Sequence, residues 1–394
     1  MSLTEQSLVV KIRTLTPLYT GGVDGTMDRI HETGILGSLR WWYEAIVRGL
    51  GGKACDPTGD HRCPDKDGKY CDVCAVFGAT GLQRAFRLEG PVWRNEHRDH
   101  RLNIKVHNNR GWFLGRGFMG QGELRVRTLH LPERWTELDL QQAMLLTLRL
   151  LACWGGLGPK TQQGYGVVEV SREPGLNVNS AIRAIQALQQ RQKRRADANP
   201  ADTPSLGGFF FAKIRFFLDD PKQWLMAQTT HLAPDKGVEW YLKQDEAKPS
   251  VIPLAPVVRY HLRQRIKQAV DSQGRWIFSH ATRHRLMGEQ GRKSLLQVSH
   301  AYLAGHNQWE FRIWGWIPET LPGGLSRTTV LWHLRQWLGV TEERQWHTAL
   351  GDYDTLWNID FLNLKDVRVC WFSKMDDEGI EAYLQALLRG CGCE

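Results

Sequence analysis

The segment that most constrains this chain is a glycine-rich turn set between an apolar helix and a strand. It reads Trp154-Gly155-Gly156-Leu157-Gly158-Pro159-Lys160-Thr161-Gln162-Gln163-Gly164-Tyr165-Gly166. Glycines at this density let the chain take positive φ and bring one backbone hard against another. Amides left free in such a turn can cradle a phosphate, and Lys160 adds a point charge. It is not a Walker loop, because Pro159 separates Gly158 from Lys160 and no strand leads into it. A plain flexible turn is the bland alternative.

The pattern on either side is mixed. Leu8–Leu15 alternates and predicts a first strand. Ile35, Leu39, Trp42, Ile46, Val47 and Leu50 recur at helical spacing, so a helix is expected from near Thr33 to the glycines after Gly49. Strand-rich sequence follows from Phe86 to Thr128. A second helix is expected over Asp139–Cys153 with Asp139 as N-cap, then a strand over Tyr165–Ser171. Helix, strand and helix signals recur after Phe209, at Trp309–Ile317, Ser326–Leu338, Val367–Phe372 and Asp377–Leu388. The order β, α, strands, α, glycine turn, β suggests an α+β chain of two ferredoxin-like, RRM-related domains in tandem. The expected division is 1–171, with a cysteine-rich insertion at 53–75, a linker and helix at 172–205, and 206–394.

Length and charge narrow the function. The 394 residues carry 51 Lys plus Arg against 42 Asp plus Glu, a formal net charge of +9. That balance favours a polyanionic partner, nucleic acid before others. Basic clusters stand at Arg191, Lys193, Arg194 and Arg195; at Arg259, Arg263, Arg265 and Lys267; and at Arg283, His284, Arg285, Arg292 and Lys293. Seventeen tryptophans offer either base-stacking platforms or a heavy core. The chain opens on a strand pattern rather than a signal peptide. Its most apolar run, Ala143 to Trp154, is interrupted by Arg149 and is too short to span a bilayer. A cytoplasmic protein is therefore expected, with its eight cysteines reduced or metal-bound rather than disulfide-paired. Cys391 and Cys393 are read as having no specific role.

Three groups of residues can carry chemistry. Cys55-x7-Cys63-x7-Cys71-x2-Cys74 places four thiols in twenty residues, with His61 among them. Asp, Gly, Pro and Lys between them cannot build a core, so a structural zinc would staple the segment, the alternative being unbound thiols. Arg29 and Arg40 flank the start of the first helix, where backbone N–H groups already favour an anion. Trp41 and Trp42 point in different directions there, one toward the core. Finally, His31 with Asp24 or Asp28 forms a candidate acid–base pair, although Glu32 offers the imidazole an ordinary partner.

Three stretches resemble the RAMP superfamily of CRISPR proteins: Thr16-Pro17-Leu18-Tyr19-Thr20-Gly21-Gly22, the run from Arg29 to Trp42, and Val76-Phe77-Gly78-Ala79-Thr80-Gly81. Within it they are similar to the family of first subunits of the type III-B Cmr effector complex. The glycine turn is similar to the loop that marks RAMP domains, and Lys293–His300 with Trp314–Pro318 extend the likeness. The resemblance implies an RNA-binding, non-catalytic subunit at the head of an antiviral defense complex, near the 3′ end of the guide RNA and the 5′ end of the target. It implies partners: both RNAs, a second RAMP head subunit, the backbone RAMP subunit and the small helical subunit. It carries Arg29, Arg40, Trp41, Gly158, Lys160, Thr161, Gln163 and Gly164 over as RNA or assembly contacts. The cysteine segment is not general across the superfamily, so zinc rests on spacing. Some relatives process guide RNA with a histidine near the first helix, which keeps a metal-independent endoribonuclease centred on His31 as the alternative.

Overall fold

The computed structural model describes residues 7–22, 24–91, 96–97, 100–105, 111–192, 194–195, 197–200, 202–232, 250–289, 291, 293–349, 355–357, 362 and 364–392. Lys193, Arg292 and Cys393 lie outside the described residues.

The first half is a four-stranded antiparallel sheet. It comprises β1 (Ser7–Thr14), β2 (Phe86–Glu89), β3 (Gln121–Thr128) and β4 (Val168–Val170), in the spatial order β2-β3-β1-β4. Helix α1 (Glu32–Gly49) follows β1, and α3 (Glu137–Trp154) joins β3 to β4, with the short α2 (Asp72–Phe77) between α1 and β2. The period-2 alternation of β1 sorts its side chains by face. Leu8, Val10 and Ile12 are buried, while Lys11 and Arg13 are exposed.

The helices start where local chemistry supplies caps. His31, not Thr33, is the N-cap of α1, and its backbone N–H donates to Thr20 Oγ1 at 2.8 Å. Thr136 is the N-cap of α3, and Asp139 is the third helical residue of a reciprocal capping box. The expected N-cap at Asp139 is thus displaced by one turn, because the threonine hydroxyl and the aspartate carboxylate satisfy each other's backbone donors.

The second half repeats the plan on a larger sheet. Its strands are β5 (Phe209–Phe217), β6 (Leu296–Val298), β7 (Ala301–Gly305), β8 (Gln308–Trp316) and β9 (Lys365–Ser373). They lie in the order β7-β8-β5-β9, with β6 also pairing β8. Helices α5 (Ala255–Gln268) and α6 (His280–Met287) precede β6; α7 (Arg327–Leu338) precedes β9; α8 (Ile380–Arg389) follows β9. Between the halves, the stretch expected as a linker carries α4 (Val178–Ala187), which buries Ala181, Ile182 and Ile185 in the core of the first half. No helix of the described residues is long and apolar enough to cross a membrane.

The two halves share one core. Trp42 of α1 packs on Phe209 and Phe211 of β5, with centroids at 5.5 and 6.1 Å. Trp154 at the end of α3 packs on Phe211 and on Phe372 of β9, at 5.9 and 4.8 Å. Its indole N–H donates to Leu387 O at 2.8 Å. Most tryptophans are therefore explained by packing; Trp41, Trp276 and Trp332 are the large exposed ones among the described residues. The cysteine expectation also needs correction. Cys153 is disulfide-bonded to Cys391, 238 residues away, because α8 returns the C-terminal segment to the end of α3.

Trp154→Ala is expected to lower the free energy of unfolding by about 3–5 kcal/mol. The urea midpoint, followed by far-UV circular dichroism, reads it. A shift worth less than about 1 kcal/mol, within the range of an ordinary surface change, would show that the shared core is not a principal support.

Candidate metal centre and nucleic-acid surface

The four cysteines meet because the chain doubles back after α1. Gly51 takes φ +83°. Gly52 sits so close to Val47 that an added Cβ would lie 2.6 Å from its side chain. The chain then reaches Cys55, loops outward, and returns through Cys63 to α2, whose N-cap is Cys71. All four thiols are buried, and their sulfurs all lie within 4.8 Å of one another. Cys55 Sγ and Cys74 Sγ are 3.6 Å apart. Zn–S bonds of about 2.3 Å in a tetrahedron give an edge of roughly 3.8 Å, so the residues fit zinc. His61 is not in the cluster; its backbone carbonyl is used instead, accepting from Arg195. A closed four-sulfur set leaves no open coordination position and suits a structural ion.

The surroundings favour anionic sulfur. The Cys71 N–H donates to Cys63 Sγ at 3.2 Å and the Cys74 N–H to Cys71 Sγ at 3.4 Å. Arg40 donates to Cys74 Sγ at 3.1 Å, to Glu44 at 2.9 Å and to Gly78 O at 3.1 Å. Burial pushes the Arg40 guanidinium down, but Cys74 and Glu44 outweigh it, so its pKa stands above the ordinary arginine value. Arg48 donates to Ala54 O and Cys55 O. From the far side, Arg195 donates to His61 O and Arg62 O, and Arg194 pairs with the fully buried Asp72 at 3.2 Å. Four thiolates around one divalent ion leave two negative charges, and these guanidiniums offset them. Sequence reasoning read the basic end of the helix after Ser180 as a linker feature and missed this role. The signal available was its density of arginines near a cysteine-rich insertion.

The glycine turn uses its amides on the protein itself. Leu157 N–H donates to Gly166 O at 2.7 Å, Gly158 N–H to Ser38 Oγ at 2.8 Å, Gly164 N–H to Thr161 O at 3.1 Å and Gly166 N–H to Pro17 O at 2.9 Å. Its glycines answer close approaches. Gly158 has φ +84°, and a Cβ there would sit 2.3 Å from Tyr19 O. Gly164 has φ +97°, and a Cβ would sit 2.4 Å from the His300 ring. Thr161–Gln163 forms one 3-10 turn, with the Gln163 N–H bonded to Lys160 O at 2.9 Å. The turn therefore docks the first half on the second. Lys160 Nζ lies 3.6 Å from the centroid of the Tyr19 ring.

Other residues from the sequence reading divide by exposure. Arg29 is exposed and pairs with Glu32 at 3.5 Å. Trp41 is 40 % exposed and meets Trp42 and Phe209 edge-on. The His31 ring bonds Asp28 at 2.6 Å, not Glu32, which pairs with Arg29. That hydrogen bond, first among the causes, holds the Asp28 carboxyl below the usual range. In the second half, Arg259 is buried and donates to Leu296 O and Met287 O, and Arg263 donates to Met287 O and Gly288 O. This cluster braces the α5–α6 corner. Lys267 and Lys293 remain exposed.

Two outcomes follow for the metal centre. The purified protein is expected to hold about one zinc per chain by elemental analysis, lost in a Cys71→Ser, Cys74→Ser double variant. Arg40→Ala is expected to retain the ligands but weaken zinc about 10–100-fold in a chelator competition, as removal of an outer partner does at other metal sites. An unchanged affinity would separate Arg40 from the centre.

No curated protein matches the sequence. Among solved structures, Cmr1 from Pyrococcus furiosus in its apo form aligns with a TM-score of 0.38 at 14% identity, covering 84% of this chain and 96% of that one. A chain of the type III-B Cmr-beta complex bound to cognate target RNA and AMPPnP aligns with a TM-score of 0.35 at 11% identity, covering 98% and 100%. The model of the RAMP superfamily matches residues 11–169, which run from β1 through the cysteine cluster, α3 and the glycine turn to β4. Over that span the chain is similar to the RAMP superfamily.

Proposed function

We propose that this protein is a non-catalytic, RNA-binding assembly subunit of a cytoplasmic type III-B CRISPR (Cmr) interference complex. The observation that carries the reading is the RAMP-superfamily match over residues 11–169, which contains both the motif around the start of α1 and the glycine turn. The net charge of +9 supports a polyanionic partner. The orders β2-β3-β1-β4 and β7-β8-β5-β9, each with one or more helices after its first and third strands, support reading both halves as ferredoxin-like. We take the halves as 1–171 and 206–394, with 172–205 between them. The partners in this reading are guide RNA, target RNA, the second RAMP head subunit, the backbone RAMP subunit and the small helical subunit.

Side-chain availability refines the contacts. Arg29 just before α1 and Trp41 midway along it are exposed, and Lys160 stands on the glycine turn. These three are the proposed RNA or assembly contacts. Arg40 is committed to the cysteine cluster, so its place is in bracing the surface. Gly158, Thr161, Gln163 and Gly164 shape the turn that presents Lys160.

A second reading, a metal-independent guide-processing ribonuclease, draws on one observation: the 2.6 Å bond between His31 and Asp28. That pair can orient an imidazole for proton transfer. This reading stands on that single contact, and we place it second.

Fluorescence anisotropy with a labelled single-stranded RNA tests the leading reading. Log affinity is expected to fall with log salt by about 0.7 per phosphate contacted. Trp41→Ala is expected to cost about 1–3 kcal/mol if a base stacks on it. Co-purification with the other subunits should persist in wild type, and labelled repeat RNA should stay intact in EDTA. Cleavage that disappears in His31→Ala would replace this reading with the second one.

A further inference from the structure

Two histidines on α6 form a pair that the RNA-binding reading does not use. His280 and His284 stand four positions apart, so both leave the same face of one helix. Their Nε2 atoms lie 3.0 Å apart, with ring centroids at 4.2 Å. His280 is exposed and His284 is half-buried.

The helix beneath them is held from several directions. Ser279, its N-cap, accepts from the Thr282 N–H at 3.2 Å, and the Thr282 hydroxyl donates to Pro322 O at 2.6 Å. Leu286 and Met287 are buried in the core of the second half, and Arg263 of α5 donates to Met287 O and Gly288 O. Gly288, at φ +74°, ends the helix and turns the chain. Glu289 then stands with a carboxylate oxygen 3.1 Å from His284 Nδ1. A pair on a braced helix keeps its spacing better than one on a loop.

That carboxylate decides the tautomer of the neutral His284 ring. A lone pair on Nδ1 would face a negative oxygen, so the proton sits on Nδ1 and Nε2 keeps its lone pair. Metal-binding histidines share this arrangement, a carboxylate on one ring nitrogen and the ion on the other. His280 brings the second nitrogen. Without an ion, its Nε2–H donates to His284 Nε2. On binding, that proton moves to its own Nδ1, and both Nε2 lone pairs point at the ion.

The spacing selects the ion. Nitrogen–metal bonds of about 2.1 Å that subtend about 90° put the nitrogens about 3.0 Å apart, whereas a tetrahedral angle needs about 3.4 Å. A right angle belongs to octahedral and square-planar ions, and imidazole in that geometry suits nickel(II) or copper(II). The cysteine cluster offers the opposite, four soft sulfurs at tetrahedral spacing. Arg283 and Arg285 flank His284 in sequence but leave the helix about 100° to either side.

We propose that His280 and His284 chelate a divalent ion of the nickel and copper class at a second metal site. Glu289 is its outer partner, and water fills the remaining positions. The site is independent of the cysteine cluster and of the RNA-binding reading.

The test uses the untagged full chain loaded with zinc, and nickel(II) chloride as the probe in equilibrium dialysis. The expected result is about one nickel per chain beyond the zinc, with the zinc retained. X-ray absorption at the nickel edge should show nitrogen and oxygen neighbours and no sulfur. Glu289→Gln is expected to weaken nickel about tenfold, as loss of an outer partner does, and His280→Ala by more than that. Both positions are exposed, and circular dichroism checks that both variants fold. Neither should change the zinc content. Nickel taken up against an equal loss of zinc, or a sulfur neighbour in the absorption spectrum, would place the ion at the cysteines and overturn the site. Unchanged nickel affinity in folded His280→Ala would overturn it too. No uptake beyond zinc from millimolar nickel would reduce the pair to a hydrogen bond.

Discussion

The structure depends on one aromatic seam. Trp42 and Trp154, carried by the two helices of the first half, bury their rings against Phe209, Phe211 and Phe372 of the second sheet. Burying such rings is among the largest single gains available to a core. The seam imposes its own sequence requirements. A Cβ at Gly155 would lie 2.1 Å from the Trp42 ring, one at Gly208 2.6 Å from Trp316, and one at Gly390 2.5 Å from Phe372. Close-packed interiors do not absorb overlaps of that size without moving. The glycine turn, the entry to β5 and the end of α8 are therefore all tied to one joint, and Cys153–Cys391 ties the last of these covalently.

That joint sets what the two surfaces can do. It sets the two sheets against each other, with Arg312 of β8 donating to Ala152 O and Gly155 O at the end of α3. On the other side it fixes the start of α1, where the cysteine cluster is braced. Arg40 and Arg48 lie one helical turn apart on either side of Glu44, at 2.9 and 3.6 Å. This arrangement lets a helix face supply charge to the sulfurs while its opposite face carries Trp42 into the seam.

The basic character of the chain is thus divided by task. Arg48, Arg191 and Arg195 are buried beside the cysteine segment, and Arg259 is buried at the α5–α6 corner. Guanidiniums suit such places because their planar donors satisfy several carbonyls at once. Other cations, among them Lys11, Arg29, Lys69, Lys267 and Lys365, remain exposed. A net charge counted from sequence cannot separate these populations, since a buried clamp and a solvated contact are the same letter.

Much of the fold is legible in the sequence. The alternation of β1, the helical spacing of Ile35 through Leu50, and the repeated order of elements follow from local periodicity, which reports which face of each element must avoid water. The cysteine cluster is legible as well, because polar, glycine-rich sequence around four thiols leaves metal or bare sulfur as its organising options. The glycine turn is visible, but not its packing: only the folded chain shows that Gly158 and Gly164 lie against Tyr19 and His300. The pairing of Arg191 and Arg194 with Asp72, the bond from Arg40 to Cys74 and the Cys153–Cys391 pair join residues up to 238 positions apart. Periodicity and spacing carry local information; which distant faces meet is decided by packing, and on this chain packing decides where the charge goes.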